Sequence, residues 1–322
     1  MSAGCVRTLA RSPLLGNLRA TLFGIFVALL IPYFPLATGA PVAVIAPAAE
    51  ATSDAGIAFL EGAGHPVIRP MAVRGGHGWS RAEDVALARE LNGHLRDGRA
   101  GALVCVRGGY GSGRVVDHLD PALWARARLP LVGMSDITAL HLWLQRQCNL
   151  QSIYGPVVAG GLARGLVAED EAALWALLAG APPTYPAGEV WRPGRATGVL
   201  TGGCLTLLTS SIGTTWEVET AGRCLFIEEV NEPPYAVDRC LTQLGQAGKL
   251  DHLAGVLVGT FHHCGRDAEG AATLRASILE ATATSHCPVV AGVPCGHGDR
   301  QMALPLGAEC TIDPPCYSMR LR

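Results

Sequence analysis

Short, continuously apolar segments, each followed by a turn of small residues and a helical pattern, restrict the fold of this chain more than any other feature. The first covers residues 41–47 (PVAVIAP), and others cover residues 101–106 and 130–132. Such runs are typical of strands buried on both faces of a parallel sheet. A capping box, Ser80 with Glu83, begins a long amphipathic helix between two of them. Strands that alternate with helices predict an α/β fold.

The second half of the chain resumes this alternation after a change in composition. A short helical pattern at 168–178 is followed by two proline-containing turns, which predict a connector between domains. The length of 322 residues also favours two domains. We expect an N-terminal domain with a parallel sheet and flanking helices, a connector, and a C-terminal α/β domain of mixed strands. Their expected bounds are 41–165, 166–197 and 198–322.

Residues 1–40 resemble a targeting segment. Basic residues precede an uncharged stretch that ends in small residues, the pattern of a secretory signal. Pro41 directly follows the expected cut and disfavours it, so an artefactual extension ahead of the true start is the alternative. Pro32 and Pro35 disfavour a membrane-spanning helix, although an anchor at 20–36 stays a third alternative. We expect a cytoplasmic protein without stable membrane association, with export to the periplasm as the alternative.

Charge and cysteine content argue against several classes of partner and site. The formal net charge is −2 and no long basic run occurs, which argues against nucleic acid as a partner. The 11 cysteines lack C-x-x-C spacing and lie mostly in apolar runs, as expected of buried free thiols in a reducing compartment. His262, His263 and Cys264 are adjacent, but neighbouring residues of a strand point to opposite faces. We therefore expect no metal site and no cofactor.

Ser135 lies between an apolar strand and a helix, in the sequence Gly133-Met134-Ser135-Asp136. A sharp turn at such a junction raises the hydroxyl above the sheet, and the first N–H groups of the helix can stabilise an oxyanion. An ordinary helix N-cap is the alternative interpretation of this serine. The spacing G-x-S-D differs from the G-x-S-x-G of the α/β-hydrolases, so that fold is not implied.

A glycine-rich turn at residues 107–112 (RGGYGS) also follows a strand. Ligands of open α/β sheets bind at the carboxyl ends of the strands, and glycines there let backbone N–H groups approach a substrate oxygen. Neither of the common nucleotide-binding glycine motifs occurs here, which disfavours a phosphate site. Later strands end near Glu228 and His297. Together, a hydroxyl, a carboxylate and an imidazole predict a serine hydrolase with its active site at the domain interface.

Seven segments give the chain a specific resemblance to the LD-carboxypeptidases, which include the muramoyl-tetrapeptide carboxypeptidases and the microcin C immunity hydrolases. The segments are 107–112 (RGGYGS), 133–140 (GMSDITAL), 154–156 (YGP), 201–205 (TGGCL), 225–235 (LFIEEVNEPPY), 238–239 (DR) and 294–298 (PCGHG). The similarity extends in order from about residue 41 to residue 313. The order of nucleophile, glutamate and histidine is particular to this family. With the resemblance, a nucleophile becomes the expected role of Ser135.

The resemblance implies a role for each site residue. Ser135 attacks the scissile carbonyl, His297 relays the proton, and Glu228 orients His297. Glu229 and Glu232 are alternative orienting residues. A surface salt bridge is the alternative role of Glu228, and an exposed loop position is the alternative for His297.

Oxyanion stabilisation and substrate binding are expected from the two strand-end turns. Backbone N–H groups of Asp136 and Gly109 are the expected oxyanion hole. A carboxypeptidase must recognise a free carboxylate, which arginine does well. Three side chains are candidates for substrate binding: Arg107, Tyr110 and Tyr235. Arg114, like Arg107, is near enough in sequence to be a candidate for binding the carboxylate.

The expected reaction is release of the terminal D-alanine from an L,D-linked murein tetrapeptide through an acyl-enzyme, without a metal. The alternatives are hydrolysis of a peptidyl or aminoacyl nucleotide, as in the microcin C immunity branch, and non-catalytic binding of murein fragments. A homodimer is implied by the resemblance alone. The chain departs from the family pattern at Cys204, where asparagine is usual, at Tyr154, where histidine is frequent, and at Met134, where an aromatic residue is frequent.

Overall fold

The structure is a computed structural model that describes residues 30–72, 79–265 and 267–321. The strands are β1 (Val42–Ile45), β2 (Val67–Ile68), β3 (Ala102–Cys105), β4 (Leu131–Gly133), β5 (Ser152–Tyr154), β6 (Glu189–Arg192), β7 (Ala196–Cys204), β8 (Cys224–Val230), β9 (Gly255–His262), β10 (Val289–Ala291), β11 (Leu304–Leu306), β12 (Glu309–Asp313) and β13 (Cys316–Arg320). The α-helices are α1 (Asp54–Gly62), α2 (Arg81–Asp97), α3 (Ser112–Val115), α4 (Pro121–Ala127), α5 (Thr138–Trp143), α6 (Ala168–Leu178), α7 (Leu205–Ser210), α8 (Pro234–Gln246) and α9 (Ala268–Ala281). Short 3₁₀ turns lie at Val116–His118, Ser135–Ile137 and Ala283–Ser285, and π-helical turns at Leu144–Cys148 and Val158–Leu162.

The first sheet, called the N-terminal sheet, has six strands in the order β11-β5-β4-β3-β1-β2. β1 to β5 pair in parallel, and β11 is antiparallel to β5. Every residue of β1, β3 and β4 is buried, as expected from the continuously apolar runs. Parallel pairing places the carboxyl ends of β3, β4 and β5 side by side. The glycine-rich turn, Ser135 and Tyr154 therefore lie along one edge of this sheet.

The second sheet, called the C-terminal sheet, has seven strands in the order β13-β12-β7-β8-β9-β10-β6. Its centre, β7 to β10, is parallel, whereas β12, β13 and β6 pair antiparallel towards the two edges. Glu228 lies in β8 opposite Cys204, the last residue of β7. The predicted α/β fold, with a parallel N-terminal sheet and a second unit of mixed strands, is confirmed.

Two segments from outside the expected bounds of the N-terminal domain belong to its folded body: one adds a strand to the sheet, and the other packs against the domain. β11 comes from the C-terminal half, and its Leu304 pairs with Tyr154. Before β1, Leu30 and Tyr33 are buried, and the Tyr33 hydroxyl donates a hydrogen bond to the carbonyl of Leu177 at 2.8 Å. The described part of the segment that we expected to be an extension therefore packs in the folded body. The remainder of that prediction, on residues 1–29, lies outside the described residues.

The expected connector, residues 166–197, divides between the two sheets. α6, whose bounds match the prediction, packs on the N-terminal sheet, where Leu174 and Leu177 share a buried cluster with Val44. β6 pairs with β10 at the edge of the C-terminal sheet. The division of the chain into domains at this connector stays a prediction.

Local sequence signals identified the start of α2 better than the start of α5. Both bonds of the capping box form: Ser80 Oγ accepts from the N–H of Glu83 at 3.2 Å, and the Glu83 carboxylate accepts from the N–H of Ser80 at 3.1 Å. The helix expected directly after Ser135 begins only at Thr138, because a 3₁₀ turn occupies Ser135–Ile137 and starts with a left-handed Ser135 backbone at φ of +65°.

Apolar side chains from both sheets form a shared core. Tyr154 of β5 packs edge-to-face on Phe226 of β8, with 5.5 Å between the ring centroids. Both side chains are fully buried and belong to one cluster with Trp143 and Ile312. Within the three described ranges, no helix combines the length and the apolar character needed to span a bilayer.

Gly202 of β7 is a position where alanine should be strongly destabilising. Its φ is +131°, and a Cβ there would lie 1.9 Å from the carbonyl oxygen of Phe226. We expect Gly202→Ala to lower the free energy of unfolding by about 3 kcal/mol or more, because backbone strain adds to a main-chain clash. Gly245, inside α8, has open space at its Cβ position, so Gly245→Ala should raise stability by about 0.5–1 kcal/mol. Urea unfolding measures both, and similar midpoints for the two variants would contradict this account of Gly202.

Candidate active site

Ser135 occupies a tight turn directly after β4. Its backbone is in the left-handed region and it is the first residue of a 3₁₀ turn, whereas Ile137 is the N-cap of α5, so the helix-cap interpretation is wrong. Gly108 of the glycine-rich turn lies against it. A Cβ at position 108 would be 2.7 Å from Cβ and 2.9 Å from Oγ of Ser135. The close approach of the two turns therefore depends on glycine at this position.

Buried hydrogen bonds hold the Ser135 turn from both sides. The Asp136 carboxylate accepts from the backbone N–H of Ser112 at 2.8 Å, and the Ser112 hydroxyl donates to the Asp136 carbonyl at 2.5 Å. On the other side, the His141 ring lies 2.9 Å from the carbonyl oxygen of Gly133. Burial lowers the pKa of His141 to about 4, so this ring is neutral at physiological pH. It supports the end of β4 as a hydrogen-bonding group rather than as a charge.

Glu228 and His297 form a close pair. Oε2 of Glu228 accepts from Nδ1 of His297 at 2.7 Å and from the backbone N–H of His297 at 3.1 Å. The Glu228 side chain is 0% exposed, so a surface salt bridge is the wrong interpretation. Gly296 permits this contact, since a Cβ there would lie 2.7 Å from Oε2 at a φ of +126°. With Nδ1 donating to the carboxylate, the neutral ring has its acceptor nitrogen at Nε2.

The surroundings of His297 favour its charged form. Burial acts to lower the pKa of His297, but the hydrogen bond to Glu228 and the negative charges of Glu228 and Glu229 outweigh burial. The positive charge of Arg164 opposes them. The net result is a pKa of His297 above its ordinary value of 6.5. A higher proton affinity is what a ring needs to accept a proton from a serine hydroxyl.

Glu229 has a different set of partners. Its carboxylate accepts from the backbone N–H and the hydroxyl of Thr206, at 2.8 and 2.7 Å, and from the N–H of Val230 at 2.8 Å. The thiol of Cys204 lies 3.5 Å from the same carboxylate. Burial and the charges of Glu228 and Glu229 raise the pKa of Cys204, so the thiol stays neutral. Of the neighbouring glutamates, Glu228 is therefore the one that contacts His297.

Tyr154 connects the Ser135 turn to Glu228. The backbone N–H of Ser135 donates to the Tyr154 hydroxyl at 3.0 Å, and this hydroxyl donates to Oε1 of Glu228 at 2.6 Å. Ser135, Tyr154, Glu228 and His297 thus form one continuous hydrogen-bonded series that joins the two sheets. Sequence reasoning placed Tyr154 in a segment that resembles the family and noted it as a departure from the family pattern, but gave it no role.

Ser135 and His297 line one cavity of about 300 Å³. Among the contacts of the described residues, no direct hydrogen bond joins the two side chains. Arg107 and Arg164 also line the cavity, and neither guanidinium forms an ion pair with a residue that the structure describes. The amide oxygen of Gln301 is buried at the same cavity without a hydrogen-bond partner in the described ranges.

Sequence reasoning missed Arg164 and Gln301. Arg164 follows the π-helical turn at Val158–Leu162, and Gln301 follows the loop of His297. That loop is fixed by Asp170 of α6, which accepts from the Gln301 N–H at 2.7 Å. The one available signal was the closeness of both residues to motifs already identified.

The other predicted site residues lie in different places. Gly109 lines the Ser135 cavity and a neighbouring cavity of about 770 Å³. Tyr110 lines the larger cavity, as does Arg114, which is paired with Asp84 at 2.8 Å. Tyr235 is 71% exposed in the first turn of α8 and lines neither cavity.

His262 and His263 stack on each other, with 3.8 Å between their ring centroids. In the part of the chain that the structure describes, no three or more metal-binding side chains come together in a way that could hold an ion.

Known proteins similar to this chain share both of its halves. The family model of the LD-carboxypeptidase N-terminal domain matches residues 42–155, and the model of the LD-carboxypeptidase C-terminal domain matches residues 197–312. The chain is 33% identical over 285 residues to the "Probable murein peptide carboxypeptidase" of Bacillus subtilis, which covers 85% of this chain and 89% of that protein.

Solved structures agree with the sequence comparison. The muramoyltetrapeptide carboxypeptidase of Oxalobacter formigenes has a TM-score of 0.77 and 25% identity, over 87% of this chain and 97% of that one. The microcin C7 self immunity protein MccF has a TM-score of 0.79 at 21% identity, over 91% of this chain and 98% of that one, which shows a shared fold. Because two family models match in order and together cover most of its length, this chain belongs to the LD-carboxypeptidase family.

Proposed function

We propose that this LD-carboxypeptidase releases the terminal D-alanine from the L,D-linked tetrapeptide of murein fragments, with Ser135 as nucleophile, His297 as general base and Glu228 as its orienting carboxylate. The main support is the 2.7 Å contact of Glu228 with Nδ1 of His297, at a cavity that Ser135 also lines. The names of the relatives support the substrate class.

The arrangement suits a two-step acyl transfer. Nε2 of His297 takes the proton of the Ser135 hydroxyl while Oγ attacks the scissile carbonyl, and the same proton passes to the amine of the departing D-alanine. Water, deprotonated by His297, then releases the peptide from Ser135 and restores the hydroxyl. Glu228 stabilises the imidazolium in both steps without taking its proton.

Stabilisation of the oxyanion is assigned to the backbone N–H groups of Asp136 and Gly109. Gly109 belongs to the turn that packs on the Ser135 side chain, and Asp136 is the second residue of the 3₁₀ turn that begins at Ser135. The N–H of Ser135 itself donates to the Tyr154 hydroxyl, so it is not assigned to the oxyanion hole. One such donor typically contributes about 3 kcal/mol to the stability of the transition state.

Recognition of the terminal carboxylate is assigned to Arg107 and Arg164. Both line the cavity of the nucleophile, and within the described ranges neither is neutralised by an acidic side chain. A guanidinium can bind a carboxylate through two parallel hydrogen bonds, which favours a free C-terminus over an internal peptide bond. Tyr110 borders the neighbouring cavity, where the remainder of the substrate can extend.

A cytoplasmic location and a homodimer belong to the same proposal. The ten cysteines among the described residues are free thiols, most of them buried, which suits a reducing compartment. The dimer is inferred from the family alone, and light scattering after gel filtration tests it. Hydrolysis of a peptidyl nucleotide and binding without catalysis are the competing functions, and activity assays with both substrate types separate the three.

Replacement of the nucleophile gives the first test of this function. Ser135→Ala should lower D-alanine release from a purified murein tetrapeptide by at least about a thousandfold, because the attacking oxygen is lost, with unchanged circular dichroism. Ser318→Ala, on the exposed face of β13, serves as the matched control and should keep full activity. Tripeptide and pentapeptide substrates complete the assay, and normal turnover by Ser135→Ala would reject the assignment.

The raised pKa of His297 predicts the shape of the pH profile. The ring must be neutral to accept a proton, so kcat/KM should rise with pH through a limb centred above 6.5. Glu228→Gln removes the charge that raises this pKa, so it should move the limb to lower pH and reduce the maximum. Glu269→Gln, at the exposed start of α9, should change neither. An acid limb at the same pH in wild type and Glu228→Gln would contradict the pairing.

Arg164 should contribute binding energy that depends on the substrate's carboxylate. We expect Arg164→Ala to raise KM for the tetrapeptide about tenfold to a hundredfold, the effect of losing a charge-assisted hydrogen bond. A tetrapeptide with a C-terminal carboxamide lacks the partner, so wild type and variant should differ little on it. An equal loss on both substrates would exclude carboxylate recognition by Arg164.

A further inference from the structure

The position of the Tyr154 hydroxyl is set by packing from both sheets. The residue ends β5, where it pairs with Gly133 of β4. Its ring is fully buried, 5.5 Å from the ring of Phe226 and 5.6 Å from that of His141, measured between centroids. A Cβ at Gly203 of β7 would lie 3.1 Å from its edge. With neighbours on β8, α5 and β7, the ring has little freedom to move its hydroxyl.

The two hydrogen bonds of this hydroxyl have fixed directions. A backbone N–H can only donate, so the bond to Ser135 uses the phenolic oxygen as acceptor. The single phenolic hydrogen is then available for Oε1 of Glu228. Burial, followed by the charge of Glu228, raises the pKa of Tyr154 well above its usual range, so this hydrogen is retained at any working pH.

These two bonds satisfy polar groups of Glu228 and Ser135 and thereby hold both residues in place. Glu228 is fully buried, and with Tyr154 on Oε1 and His297 on Oε2 both oxygens are hydrogen-bonded, which prevents the carboxylate from rotating away from the imidazole. Ser135 has a left-handed backbone, a conformation that persists only where its surroundings impose it. Its N–H is held by the same phenolic oxygen.

We propose that Tyr154 is a positioning residue that keeps the Ser135 turn and the Glu228 carboxylate in register across the two sheets, so that His297 meets the nucleophile correctly. The inference rests on the proposed roles of Ser135, Glu228 and His297. Tyr154 touches neither substrate nor reacting atoms in this scheme. Its competing interpretation is a buried tyrosine whose hydroxyl contributes to stability alone.

Tyr154→Phe removes the hydroxyl and keeps the ring. We expect kcat to fall about tenfold to a hundredfold with little change in KM, because a small misplacement of the reacting groups affects the transition state and leaves ground-state binding intact. Tyr33→Phe is the matched control, since it also deletes one buried tyrosine hydroxyl with a 2.8 Å bond to a carbonyl. It should lose a similar amount of stability and keep wild-type kinetics.

The pH profile of Tyr154→Phe distinguishes a positioning role of the Tyr154 hydroxyl from a contribution to stability alone. Without the phenol, the charge of Glu228 is less neutralised and acts more strongly on the imidazolium, so the acid limb of kcat/KM should move to higher pH. The other charged or titratable groups that act on His297 are Glu229, Arg164 and His262, and the substitution leaves all of them in place. If Tyr154→Phe has a normal kcat and its acid limb of kcat/KM lies at the same pH as in wild type and Tyr33→Phe, the proposal is overturned.

A double-mutant cycle with Glu228→Gln tests whether Tyr154 affects catalysis through Glu228. If Tyr154 acts through Glu228, Tyr154→Phe should reduce kcat by less than about threefold in the Glu228→Gln background and should not shift its limb. If Tyr154→Phe lowers kcat in the Glu228→Gln background as much as it does in wild type, the proposal is also overturned. Labelling of Ser135 by a fluorophosphonate gives the same comparisons independently of substrate. The role of Tyr154 therefore stays testable even if wild type releases no D-alanine and the proposed substrate is wrong.

Discussion

The hydrogen bond between Glu228 and Nδ1 of His297 is the interaction on which the rest of the site depends. A fully buried carboxylate is stable only when its oxygens are satisfied, and three donors do this here: the His297 ring, the His297 backbone and the Tyr154 hydroxyl. Meeting this requirement fixes the orientation of the imidazole, requires glycine at position 296, and brings a side chain of β5 against the end of β8. The geometry of the site thus follows largely from the need to give the buried Glu228 carboxylate enough hydrogen bonds.

Much of the fold could be predicted because its signals are local. Continuously apolar runs marked β1, β3 and β4, and the capping box marked the start of α2. β11 could not be predicted in this way. It is three residues long, contains a proline, and pairs with a strand far away in the sequence. Residues 30–36 similarly resemble an apolar leader by composition, and only their packing partners show that they belong to the body.

The site shows the same division between local and long-range information. Motifs led to Ser135, Glu228 and His297, but the choice between Glu228 and Glu229 depends on which strand face meets the histidine loop, and alternation alone does not give that. Tyr235 belongs to one of the motifs yet lies exposed on α8, whereas Arg164 belongs to no motif and lines the cavity. Adjacency in sequence is a poor measure of adjacency at a strand edge, because the intervening turn decides the direction of each side chain.

The return of β11 to the N-terminal sheet also has a consequence for biosynthesis. The edge of β5, which ends at Tyr154 beside the Ser135 turn, lacks its β11 neighbour until residues 304–306 have left the ribosome. An open strand edge invites pairing with other chains. A polypeptide that stops before β11 therefore exposes an unpaired strand edge close to Ser135, the proposed nucleophile, and the two halves of this enzyme must finish folding together.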